Sequence, residues 1–191
     1  KADRFEITSR NGNTFTGEYD NIAAYAVKKS DGTKVETTAI TDNKISFPTE
    51  AGETYTIDFN STPEKLQGVI NQAKDLLDKM GGKVLDVQKA HLVELIQAAE
   101  KVVEEEKSDE YYDNTQILLK AIKVGEAANE LRDSCSEAEE VYEGIDVNED
   151  WASYFNTAAD LDNQLDAAVE LLKDTECTVT ELNLMKKSFD E

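Results

Sequence analysis

Cations are scarce in this chain of 191 residues: 20 Lys and Arg stand against 41 Asp and Glu, a formal net charge of -21. A nucleic-acid surface needs clustered cations to displace counterions from phosphate, so that class of partner is excluded. Long apolar runs are lacking too. No segment approaches the roughly 20 consecutive apolar residues of a membrane span, and no signal-type apolar segment follows Lys1. The chain begins without Met, as expected of a processed or truncated fragment. Histidine occurs once, at His91, and cysteine twice, at Cys135 and Cys177. Zinc centres draw three or four ligands from such residues, which this count does not supply. No G-x-S-x-G, P-loop, H-E-x-x-H or G-x-G-x-x-G motif occurs. With 41 acids, accidental carboxylate pairs are guaranteed, so such pairs carry no argument for glycosidase chemistry. The expectation is a protein that is not an enzyme.

What is present changes character near Ser61. Residues 1–62 hold 7 basic and 10 acidic side chains, whereas 63–191 hold 13 and 31. The hydrophobic period changes at the same place. The first part predicts strands: Phe5 and Ile7 alternate with polar residues, and 22–27, 35–40, 45–47 and 55–59 are short and rich in β-branched or aromatic residues. Asn11-Gly12, Asp31-Gly32 and Ala51-Gly52 stand between them as turn signals suited to tight hairpins. Six or seven strands at this spacing predict a small antiparallel β-sandwich of immunoglobulin-like type. Such a domain buries little area by itself.

The second part predicts helices. Ser61-Thr62-Pro63-Glu64 supplies a cap, a Pro at the first turn and an acid near the N-terminus. Leu66, Val69, Ile70, Ala73, Leu76 and Leu77 share one face, and Gly81-Gly82 ends that helix. A second helix carries Leu85, Leu92, Leu95, Ile96, Ala99, Val102 and Val103, and ends in the polar stretch 104–108. In the third, Ile117, Ala121, Val124, Ala128, Leu131, Cys135, Ala138 and Tyr142 keep a seven-residue repeat, the seam of a bundle helix. Trp151, Tyr154, Ala158, Leu161, Leu165, Ala168 and Leu172 repeat the device, which predicts an antiparallel pair turning near Gly144. Thr178-Val179-Thr180-Glu181 reads as a capping box with Cys177 and Leu182 at staple positions; Leu182, Met185 and Phe189 then form the buried face. The fold class expected is α+β, with an immunoglobulin-like domain over 1–62 and an antiparallel bundle of four to five helices over 63–191.

In that hairpin Cys135 and Cys177 lie roughly 30 Å apart at 1.5 Å per residue, so both thiols are expected to be free. His91 is expected at a core edge. Narrow seams of Ala and Leu are expected to leave little room for a pocket. Residues 133–172 hold 12 acids and no Lys or Arg, which reads as a solvated face. Within it Asp146, Asn148 and Asp150 match the opening oxygens of an EF-hand loop, a candidate calcium site. The sixth position is Trp151 where glycine belongs and the twelfth is Thr157 where glutamate belongs, and Asn148 also serves as a helix N-cap. No other cofactor is expected. Sugar binding needs aromatic platforms, and Tyr111, Tyr112, Trp151 and Tyr154 are the candidates, with core packing as their alternative.

Leu66-x-x-x-Ile70-x-x-Ala73-x-x-Leu76-Leu77, Leu92-x-x-x-Ile96-x-x-Ala99-x-x-Val102, Tyr111 and Leu118-Leu119-Lys120-Ala121-Ile122 together resemble FIVAR-type helical modules over residues 64–130. The strand region, ending in Ala51-Gly52-Glu53-Thr54-Tyr55-Thr56-Ile57, is similar to the small immunoglobulin-like domains of the same proteins. The resemblance implies a secreted or cell-surface bacterial protein, held by lipid or wall anchors in segments beyond those given. It implies a non-catalytic spacer or ligand-binding accessory module whose partner is an extracellular glycan or protein. The alternatives are a protein-binding adhesin domain or an ancillary part of a larger extracellular glycoside hydrolase. No functional residues follow from it.

Overall fold

The computed structural model describes residues 3–20, 22, 24–59, 61–143 and 151–189, with the backbone alone for 151–158. Among these the strands come first: β1 (Arg4–Thr8), β2 (Asn13–Glu18), β3 (Tyr25–Lys29), β4 (Lys44–Thr49) and β5 (Thr54–Phe59). The helices follow: α1 (Pro63–Lys79), α2 (Asp86–Glu104), α3 (Tyr111–Glu143), α4 (Trp151–Lys173) and α5 (Val179–Ser188). The class is α+β, with small antiparallel sheets preceding five helices. By packing, the chain divides into two compact units, one of residues 1–70 and 98–116, the other of 71–97 and 117–191. The expected boundary at 62/63 marks a different property, the change of period, and β5 does end at Phe59 and α1 begin at Pro63.

In the first unit β1-β5-β3 form one antiparallel sheet and β2-β4 another. Alternation along β5 turns Tyr55, Ile57 and Phe59 to one side, where they meet Val27, Val35, Ile45 and Phe47 in a single buried cluster. Three expectations are corrected here. Residues 35–40 form no strand: Val35 is buried and donates to Val27 O at 2.9 Å, but the rest lie outside the ladders. β2 is a strand that the sequence reading passed over, because Asn, Thr, Gly and Glu fill most of it. The Asn11-Gly12 turn closes no hairpin, since β1 pairs with β5 and β2 with β4. Gly12 does hold the positive φ of 70° foreseen for it.

One register detail concerns the outer edge of β4. Ser46 turns its backbone away from β2: its amide donates to Tyr25 Oη at 3.3 Å and its carbonyl accepts from Thr38 N at 3.1 Å. Alternation points the nitrogen of Pro48, the register partner of Thr14, the same way. The N–H that proline lacks is therefore no loss to the β2-β4 ladder.

In the second unit the apolar faces are filled by Ala73, Leu76 and Met80 of the α1 end, Leu85, Leu92 and Ile96, and Leu118, Ile122, Ala128, Leu131 and Cys135 of α3. α4 packs on the 3-10 turn Lys83–Leu85 and on α5. The expected α3 seam holds from Val124 to Cys135 but fails at both ends. Ile117 is 48% exposed and Tyr142 41%, while Leu118 and Ile122, one position on, are buried. α3 also starts earlier than the seam implied, at Tyr111. The α5 cap is as expected: Thr178 Oγ1 accepts from Glu181 N, and the Glu181 carboxylate accepts from Thr178 N at 2.8 Å. The Thr178 hydroxyl, donating to that carboxylate at 2.7 Å, and then the Thr178 N–H hold the Glu181 carboxyl below the usual carboxylate range.

Candidate functional site

A cavity of about 210 Å³ opens in the second unit. Met80, Leu92 and Val124 give it a buried apolar side, with half-buried Leu95 beside them. Residues 175–177, between α4 and α5, close another side with Thr175, Glu176 and Cys177. The seams were expected to leave little room for a pocket, and the second unit nonetheless holds this one. Gly125 also borders it, with Leu76 packed so closely that a Cβ at position 125 would come 2.8 Å from Leu76 Cδ2.

Polar groups in the cavity fall into two sets. Gln88 is only 5% exposed. Its Nε2 donates to Asp174 O at 2.6 Å and to Cys177 Sγ at 3.6 Å, which commits both amide hydrogens. Its Oε1 has no protein partner among the described residues. Exposed Lys120 and Glu176 and half-buried His91 form the outer set. His91 is thus at a core edge, as expected, and it also borders the cavity.

Both thiols are free and buried. Burial pushes Cys177 above its ordinary value, with the Asp174 carboxylate adding to this. Burial, helped by Glu139, pushes Cys135 up to about 11. Thiols so shifted stay protonated near neutrality and are poor nucleophiles.

The first unit holds a second constellation, around the tyrosines that open α3. Arg4 Nε lies 2.5 Å from Asp58 Oδ1 and Arg4 Nη2 3.0 Å from Asp58 Oδ2. Nη2 also reaches Asp113 Oδ1 at 2.7 Å, and the guanidinium stands 4.1 Å above the centroid of Tyr112. Lys28 Nζ approaches Asp113 Oδ2 at 3.6 Å. The hydrogen bond to Asp58 holds Arg4 above its ordinary value against the opposing pull of burial. Antiparallel pairing explains the placement, because Arg4 and Asp58 are register partners in β1 and β5.

The candidate residues are distributed as follows. Tyr111 is buried, and burial raises its phenol, with Glu106 and Glu64 contributing. Tyr112 is half-buried with one face under Arg4. Trp151 and Tyr154 belong to the α4 backbone, and their side chains lie outside the described residues. Asp146, Asn148 and Asp150 lie outside the described residues entirely. Among the described residues no group of three or more His, Cys, Asp or Glu could hold a metal ion, and no helix is long and apolar enough to cross a membrane. Sequence reading passed over Arg4, Asp58 and Asp113 and, at the cavity, Gln88 and Gly125. A charged residue inside the β-rich run 55–59 was the available signal for Asp58. Comparison with family models, curated proteins and solved structures finds no match to this chain.

Proposed function

We propose that this chain is a non-catalytic accessory or spacer module of a secreted or cell-surface bacterial protein. The finer reading is an immunoglobulin-like sandwich followed by a FIVAR-like antiparallel bundle of four to five helices. The observation that supports it is the Arg4 constellation. It fastens β1, β3 and β5 to the first turn of α3 through Asp58, Asp113, Lys28 and Tyr112, so the strands are not hung on a free linker. A spacer needs such fastening, and an acidic surface keeps it dispersed. Two protonated, buried thiols fit the same reading. Glycan contact falls to Tyr112 or to Trp151 and Tyr154, and calcium to Asp146, Asn148 and Asp150.

The test is a glycan array run beside a panel of chromogenic glycosides and esters. Binding that Tyr112→Ala abolishes without lowering the melting temperature supports the glycan arm, and silence on the array supports the spacer arm. Turnover of any chromogenic substrate by the pure protein refutes the proposal.

A second reading, a protein-binding adhesin, is favoured by one feature of the second unit. Leu184 is 64% exposed on α5 and borders a shallow groove with Ala167, Leu171 and Met185. Saturable binding to immobilised matrix proteins, lost in Leu184→Lys, supports it; binding that survives Leu184→Lys removes that support.

A further inference from the structure

We propose that the cavity bordered by α2, α3 and residues 175–177 binds a small uncharged aromatic molecule carrying one hydrogen-bond donor, of the phenol or indole class. This inference stands apart from the accessory reading and does not depend on it. Size comes first. The cavity holds about 210 Å³, and an apolar cavity of ~150 Å³ is enough to take up benzene, so one ring or two fused rings fit. Chemistry comes second. The buried wall of Met80, Leu92 and Val124 offers no polar group to a ring, and the sulfurs of Met80 and Cys177 suit aromatic edges.

Gln88 then selects among rings. Both hydrogens of its buried amide are committed, to Asp174 O and Cys177 Sγ, and its Oε1 is left without a protein partner among the described residues. An acceptor so placed is satisfied by a hydroxyl or ring N–H and is left desolvated by a plain hydrocarbon. Charge comes third. Lys120 and Glu176 stand on the same cavity with opposite signs. The net charge of -21 opposes an anion and Lys120 opposes a cation. An uncharged ligand meets neither penalty. Ile117, 48% exposed at this cavity, is the apolar surface that such a ligand would cover.

The test is titration of the intact protein with phenol, indole, toluene and benzoate, followed by amide chemical shifts. Phenol and indole are expected to saturate with one-to-one stoichiometry, moving resonances of residues 88–95, 117–125 and 175–177. Benzoate is expected to bind at least about tenfold more weakly than phenol, the cost of placing a charge where no partner is committed to it. Gln88→Leu is expected to weaken indole and phenol about tenfold while leaving toluene unchanged or tighter. The proposal fails if neither phenol nor indole gives a saturable shift up to its solubility limit, if Gln88→Leu weakens toluene as much as phenol, or if benzoate binds best. Where Gln88→Leu does not fold, Ala121→Phe decides. Its half-buried side chain fills the cavity from the wall, so a folded Ala121→Phe protein must lose phenol binding, and retained binding overturns the proposal.

Discussion

Arg4 is held by two carboxylates and an aromatic ring. Asp58 is 1% exposed, and that guanidinium is the ion-pair partner of its buried carboxylate. Arg4→Ala is expected to destabilise the protein by about 2 kcal/mol in urea unfolding, less than the ~3–5 kcal/mol for breaking a fully buried pair. The discount follows from the Arg4 side chain, which is itself 35% exposed. Adding Asp58→Asn is expected to recover part of the loss, because the orphaned charge goes with it; purely additive losses would mean that the pair is not coupled. The thiols give a second residue-scale prediction. Cys135 is raised from 9.0 to about 11 by burial and Glu139. Between those values the unfolded chain gives up the proton while the native chain keeps it. The associated stability is full below about pH 9 and is lost as pH rises through 11. Unfolding curves from pH 8 upward are therefore expected to fall less steeply for Cys135→Ala than for the parent chain. Equal slopes would remove Cys135 as a cause.

Among the helices, two glycines make a matched pair. Gly68 in α1 is exposed and has nothing within 4 Å of the position a Cβ would take. Gly68→Ala is expected to stabilise by about 0.5–1 kcal/mol through helix propensity alone. Gly125 in α3 carries the same propensity cost, but its added Cβ would stand 2.8 Å from buried Leu76. Overpacking costs about 1–3 kcal/mol, so Gly125→Ala is expected to be neutral to destabilising by about 2 kcal/mol. A gain at position 125 equal to that at 68 would show that Leu76 yields freely. These positions also show what the sequence made legible. Features written within one turn, such as the Thr178–Glu181 cap and the Pro63 helix start, were readable because every interacting group lies within four residues. The α3 stripe was readable only in part. Ile117-Ala121-Val124 and Leu118-Ile122 both fit helical spacing, and only the neighbours that cover Leu118 and Ile122 decide between them. The cavity was not legible at all, because its walls come from stretches far apart in sequence, 80–95, 117–125 and 175–177. The Arg4–Asp58 pair needed the β1–β5 register before it had any meaning.

Across the whole molecule, charge of one sign dominates, and the described ion pairs are mostly at the surface. Exposed pairs each contribute little, about 0–1 kcal/mol, whereas a net charge of -21 acts against compactness throughout. Raising NaCl from about 0.01 to 0.15 M shortens the screening length from roughly 30 to 8 Å. The melting temperature is expected to rise by about 2–4 °C for each kcal/mol of repulsion removed. A fall would mean that attractive pairs such as Arg4–Asp58 outweigh the repulsion. Charge is not the only feature that bears on edge-to-edge pairing of small sheets. The outward side of β4 already has Ser46 occupied by Tyr25 and Thr38, and it presents at Pro48 a nitrogen with nothing to donate. A neighbouring copy trying to zip onto that border would find no continuous row of donors, so Pro48 acts as a built-in guard against fibril growth.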